Sequence, residues 1–175
     1  AEDHNLPLMI WYGVSDLVPL DQKRALAMIL SSRIPKVTRF LVRRLTEMPE
    51  GGESVLALVN TRADDAMFAS DVLAGLSMAL SKSGIQPEPK GWTEASSVFV
   101  ALKNQNQRRD FEIVATVYGD KRMADRFRKT IGDLSAKAED RTAAFENLLR
   151  MKLPDTGALL MKLSAKIGRA SCRER

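Results

Sequence analysis

Two residue types that carry much of enzyme chemistry are almost missing: the 175 residues hold one cysteine, Cys172, and one histidine, His4. One thiol closes no internal disulfide, so stability has to come from burial. A chain this long can supply it, since a domain of this size buries about 70% of the surface its unfolded form exposes. One imidazole without a Cys or second His at ligand spacing is a poor metal site, and beside Asp3 and Asn5 a turn at a helix entry accounts for His4. The same shortage removes hydrolytic triads built on histidine. Neither a Gly-x-Ser-x-Gly elbow nor a glycine-rich phosphate loop is present. No apolar run approaches the ~18 residues that a spanning helix requires, so no transmembrane segment is expected. β-branched residues never alternate at period two over a useful length, which argues against any sheet. What is there, 45% apolar and 28% charged residues with a mean hydropathy of −0.20, is the composition of a folded protein.

Both ends read as cut. AEDHNLPL has no basic n-region and no small-residue cleavage site, so it is neither a signal peptide nor a native start. Residues 167–175, IGRASCRER, break off the helical pattern and resemble the translation of a short-read sequencing adapter. They are read as a non-native tail, which leaves 1–166 as one helical-repeat domain. Without that tail's three arginines and one glutamate the net charge drops from +5 to +3, and the basic balance loses weight as a sign of nucleic-acid binding.

The domain is organised around a repeated unit. Residues 144–163, AFENLLRMKLPDTGALLMKL, repeat the pattern of residues 25–44 at an offset of 119. Ala25, Leu26, Ile29, Leu30, Arg33, Ile34 and Pro35 fall under Ala144, Phe145, Leu148, Leu149, Lys152, Leu153 and Pro154. Proline suits the first turn of a helix and forces the residue before it out of helical geometry, so each copy is two helices bent at a fixed place. A recurring bent pair points to a solenoid.

Between the copies the periodicity predicts further helices. Leu6–Val14 is apolar on nearly every side, and a helix without a polar face is expected to be buried between neighbours. Pro35 opens a helix with Val37, Phe40, Leu41 and Leu45 inward. The breakers Pro49, Gly51 and Gly52 predict a loop over 48–54. A long helix follows over 65–83, stopped by Gly84. Residues 84–92 read as a proline-rich crossing linker pinned by Trp92. Helices over 98–103 and 110–118 come next, then one capped by Asp120 that turns Met123, Phe127 and Ile131 inward and Arg122, Arg126 and Lys129 outward. The last pair spans 138–151 and 155–166.

Few residues invite a functional reading. Trp11 and Tyr12 can stack on a base or a sugar, but Met9, Ile10 and Val14 around them favour packing between helices. Glu139, Asp140 and Asp155 stand at helix starts, where capping accounts for them. The sharpest candidate is a cationic stripe: Lys36, Arg39 and Arg43 lie three and four apart on one helical face, flanked by Arg33 and Arg44. It can hold phosphate, an acidic partner or an anionic surface, or be a solvated face helped by cations near a helix C-terminus.

DHNLPLMIWYGV at 3–14, ALAMILSSRIPKVTRFLVRRL at 25–45, DVLAGLSMAL at 71–80, Pro89-x-Gly91-Trp92, YGD at 118–120 and DRTAAFENLLRMKLPD at 140–155 together carry a family likeness. The chain resembles the HEAT-repeat region of large planctomycete and verrucomicrobial proteins. In these a membrane-bound dehydrogenase-like propeller precedes the repeats and a PVC-type cytochrome c domain follows. The resemblance implies an all-α, right-handed HEAT/ARM-like solenoid of about four to five helix pairs. It implies a non-catalytic scaffold or docking module in an extracytoplasmic, periplasmic or membrane-associated oxidoreductase. The partners would be other domains of the same chain or another protein, with no tight nucleic-acid binding. Haem c would sit only in a downstream domain, because Cys172 lies in Ser171-Cys172-Arg173 with no histidine after it. Two other readings stand: a cytoplasmic adaptor, and a HEAT-like DNA glycosylase, which requires Trp11, Asp16 and the arginine stripe to converge in one groove.

Overall fold

Most helices of this chain start where a side chain or a proline deals with backbone N–H groups that have no partner in the first turn, α4, α6 and α9 being the exceptions among the described residues. The computed structural model describes residues 5–153 together with Gly157, Ala158 and Met161. Among these residues there are nine helices and no strand: α1 Leu6–Val14, α2 Gln22–Ser31, α3 Pro35–Thr46, α4 Gly51–Thr61, α5 Ala66–Leu80, α6 Trp92–Val100, α7 Gln105–Val117, α8 Lys121–Gly132 and α9 Ala138–Arg150. Proline opens α1 and α3. Asp21 and Asp65 cap α2 and α5 by accepting from the N–H groups of Arg24 and Phe68, both at 2.9 Å. Asn104 and Gln107 close a capping box on α7.

Several boundaries differ from those the sequence predicts. Pro49 breaks the chain, but α4 already starts at Gly51. The turn folds back so tightly there that a Cβ on Gly51 would lie 1.8 Å from the Leu45 carbonyl oxygen, and Glu50 takes a left-handed φ of 57° to make it. The helix placed over 98–103 runs instead from Trp92 to Val100, and α5 ends at Leu80, four residues before Gly84. The segment between α5 and Trp92 is irregular. It is tied down where the Gln86 N–H donates to the Val117 carbonyl at 2.8 Å and the Asn60 amide donates to the Gly91 carbonyl at 3.1 Å.

Helices one apart in sequence pack side by side. α1, α3, α5 and α7 form one row and α2, α4 and α6 a second, and from α2 to α7 each helix also touches its neighbour in the other row. Within the first row α3 and α5 run parallel, because their contacts advance together: Arg39 meets Asp71 and Val42 meets Gly75. The second of these is the closest. A Cβ on Gly75 would lie 2.6 Å from Val42 Cγ1 and 2.8 Å from the Arg39 carbonyl oxygen, so α5 reaches α3 only with glycine there. The alternation shifts at α8, which packs chiefly on α9.

The two copies of the repeated unit match in burial. Ile29 and Leu148 are 0% and 1% exposed, and the next residues, Leu30 and Leu149, are 41% and 42% exposed. Ala25 and Ala144 are buried, and Ile34 and Leu153 half-buried against the core. The bends differ: Lys152 has φ 47°, whereas Arg33 has no such left-handed backbone. Pro154, Asp155 and the tail 167–175 lie outside the described residues, as does most of 155–166.

α1 departs most from expectation. It buries only Pro7, while Leu6, Leu8, Met9 and Tyr12 are exposed, Tyr12 by 72%. As the first helix of its row it has α3 on one side, and no described helix covers its outer face.

Gly75→Ala should lower stability by at least ~1 kcal/mol in urea titrations, its packing clash outweighing the gain in helix propensity. Gly13→Ala in α1, whose Cβ meets nothing within 4 Å, should leave stability unchanged or raise it. Leu148→Ala should cost about 2–5 kcal/mol and Leu149→Ala under about 1 kcal/mol, and equal losses would refute the shared burial pattern.

Candidate functional site

α3 presents the cationic residues because its other face is taken. Val37, Thr38, Leu41, Val42 and Leu45 are buried, which leaves positions 36, 39, 40, 43, 44 and 47 along the remaining sides. The five cations do not act as one stripe. Arg39 is committed to α5, its Nε and Nη2 lying 2.9 and 2.8 Å from Asp71 Oδ1, with Asp71 largely covered. Arg43 donates through Nε to Glu47 Oε1 at 3.2 Å, and Arg44 Nη1 lies 3.8 Å from Glu47 Oε2. Arg33 and Lys36 are exposed and make no ion pair with the described residues.

A groove of about 320 Å³ opens between α1 and α3. It is lined by Trp11 and Asp16 on one wall and by Phe40, Arg43, Arg44 and Glu47 on the other. The Trp11 and Phe40 rings lie 5.5 Å apart at 43°, both half-buried. Trp11, Asp16, Arg43 and Arg44 therefore do converge. Arg33, Lys36 and Arg39 stay outside, and Tyr12 turns to solvent instead of packing between helices. Phe40 belongs to the groove wall rather than to the core face that periodicity assigned it, and Glu47 carried no sequence signal at all. Glu139 and Asp140 sit in the first turn of α9, where acidic side chains suit the helix dipole. His4 lies outside the described residues. Among the described residues no three His, Cys, Asp or Glu side chains gather as metal ligands would. No helix there is long and apolar enough to cross a membrane.

The strongest electrostatic arrangement is a second cluster, centred on Asp120. This carboxylate caps α8 through the Arg122 N–H at 2.9 Å and is only 5% exposed. Arg122 bonds it again through Nε at 3.1 Å and Nη2 at 2.7 Å, and the Trp92 indole N–H donates at 3.1 Å. Arg122 Nη2 also donates to Ser96 Oγ. Burial alone would push the Asp120 carboxyl up, but the Arg122 hydrogen bonds and charge and the Trp92 indole outweigh it and hold the group below the usual carboxylate range. The same hydrogen bond to Asp120 raises Arg122 further. Around Trp92, which is 1% exposed, lie Phe99, Phe111 stacked at 6.0 Å and Tyr118 edge-on at 5.1 Å. Burial pushes the Tyr118 phenol up to about 12. With both carboxylate oxygens occupied by donors and the indole enclosed, the cluster holds α6 and the start of α8 together. Sequence showed its members one at a time, Trp92 as a pin, Asp120 as a cap and Arg122 as an outward cation, and their separation of 28 residues hid the union.

No family model, curated protein or solved structure matches this chain.

Asp120 gives stability a definite pH dependence. Its folded pKa lies below the ordinary value of about 3.9, so as pH falls the unfolded chain takes up the proton first. The contribution is full above about pH 4 and is lost as pH drops through the lower folded pKa. Melting temperature should therefore decline below about pH 4, and Asp120→Asn should be less stable at neutral pH with a flatter acid slope. Asp133, held below its ordinary range by Ser135, keeps some slope in that variant. An unchanged slope in Asp120→Asn would mean that other carboxylates govern acid unfolding.

Proposed function

We propose that this chain is a non-catalytic scaffold: a right-handed, HEAT-like stack of helix pairs that positions or docks other parts of a larger protein. The observation that carries this reading is the row α1–α3–α5–α7, built from helices one apart in sequence and closed by a glycine contact in its middle. Such stacking is how repeat proteins make a long surface from short units, each of which touches only its neighbours. The matched burial of Ile29 with Leu148 and of Leu30 with Leu149 supports descent of both bends from one unit. An extracytoplasmic setting in a haem-linked, dehydrogenase-like parent, with haem c on a downstream domain, rests on the family resemblance.

One observation favours a second reading. Trp11, Asp16, Arg43 and Arg44 share a groove, the arrangement a HEAT-like DNA glycosylase requires. Docking is preferred because Glu47 lies against both arginines in that groove and Arg39 is spent on Asp71, which weakens the field a phosphate backbone would meet.

Titrations separate the two readings. The scaffold should leave the Soret band of added haemin unshifted, and any DNA binding should disappear at physiological salt, as contacts made to phosphate alone do. A shifted and sharpened Soret band, submicromolar DNA binding that persists at that salt, or release of a base from alkylated DNA would overturn it.

A further inference from the structure

The outer side of α1 and of the turn that follows it is apolar along its whole length. Leu6, Leu8, Met9, Tyr12, Leu17 and Leu20 are all exposed, Leu20 by 80%, and no charged residue occurs from Leu6 to Ser15. Together these side chains leave on the order of 600 Å² of apolar surface open, the upper end of what a monomer exposes in one patch. Two copies joined through it would bury on the order of 1,200 Å², enough for a specific interface.

The spacing on this side reads the same in both directions. Helical hydrogen bonds continue past Val14, from the Ser15 N–H to the Trp11 carbonyl at 2.8 Å and from the Val18 N–H to the Val14 carbonyl at 3.3 Å. Leu6, Met9, Gly13, Leu17 and Leu20 therefore follow at intervals of three, four, four and three, the offsets that keep residues on one face. Pro7, Trp11, Val14 and Val18 take the opposite face and are buried or half-buried. A two-fold axis at Gly13 sets Met9 of one copy against Leu17 of the second copy, and Leu6 against Leu20. Gly13 itself puts no side chain on that axis, and a Cβ there would meet nothing within 4 Å.

We propose that two copies of this chain pair antiparallel through α1 about an axis at Gly13, so that each covers the open end of the other's first row. The inference goes beyond the scaffold reading and does not depend on it. The palindromic spacing favours a second copy, because an unrelated partner imposes no symmetry on the face it covers. A lipid surface fits poorly. Helices that lie in a membrane interface carry Lys or Arg beside their apolar face, whereas none precedes Lys23 here and Asp16 and Asp21 follow α1.

Analytical ultracentrifugation of the full chain, from micromolar to submillimolar concentration, tests the pairing. Expected is a reversible dimer of twice the 19.4 kDa chain mass. Met9→Glu and Leu17→Lys should each weaken it about tenfold or more. Mixing the two variants should restore association, because the introduced charges then face each other across the axis. Far-UV circular dichroism checks that both fold. Leu17 also borders a hollow over Ala25 and Met28, so Leu6→Glu with Leu20→Lys gives a second crossed pair if Leu17→Lys unfolds. A chain that stays monomeric throughout overturns the proposal, as does an assembly larger than a dimer or one that Met9→Glu leaves unchanged. A mixture of folded variants that stays monomeric overturns the antiparallel register. Sedimentation of the chain with phosphatidylglycerol vesicles, lost in Met9→Glu, would assign the face to lipid instead.

Discussion

Helices α3 and α5 approach until the backbone of one touches side chains of the other, and the missing side chain of Gly75 is what lets them. With α5 seated there, the Arg39 guanidinium comes within hydrogen-bond reach of Asp71, and α3 keeps Val37, Leu41, Val42 and Leu45 covered. α5 in turn offers its far side to α7, where Gln107 donates to Ser70 at 2.8 Å. The burial of α3 on one side also determines what it shows on the other. Phe40, Arg43, Arg44 and Glu47 are exposed to the groove because the neighbouring positions on the helix are filled by contacts with α5.

The second half of the molecule is held differently. There a buried carboxylate, satisfied by a guanidinium, an indole and a backbone N–H, joins the start of α8 to α6 inside a ring of aromatic side chains. A polar group in such a place stabilises only while every partner is present, and leaving one unpaired costs about 1–3 kcal/mol. The contrast matters for function. The groove's polar side chains are exposed and loosely paired, so they can exchange partners, whereas those around Asp120 cannot.

Much of the helical content was legible because it depends on local chemistry. Pro35 as a helix opener, Asp120 as a cap, and the inward set Met123, Phe127 and Ile131 follow from spacing and backbone preference alone. The misreadings share a cause: they hinge on what lies next to a residue in space. Gly51 looks like a loop residue until the Leu45 carbonyl is seen against it. An all-apolar helix implies neighbours on every side, yet α1 has a described neighbour on one. The groove was half legible. Trp11, Asp16 and the arginines were named as residues that would have to meet, but nothing in spacing could show that Arg39 belongs to Asp71 or that Glu47 lies between Arg43 and Arg44.

Row packing also bears on how the chain reaches this shape. Each helix of α1–α7 finds its main partners one or two elements away, so the loops that must close are short and their entropy cost, which grows with the logarithm of length, stays small. Assembly of this kind has low contact order and can begin wherever two adjacent helices first meet. The exception is Arg150, whose Nη2 reaches back from α9 to the carbonyls of Ser81 and Ser83, both at 3.4 Å. That contact spans 69 and 67 residues, so it closes a far longer stretch of chain than the contacts between neighbouring helices do.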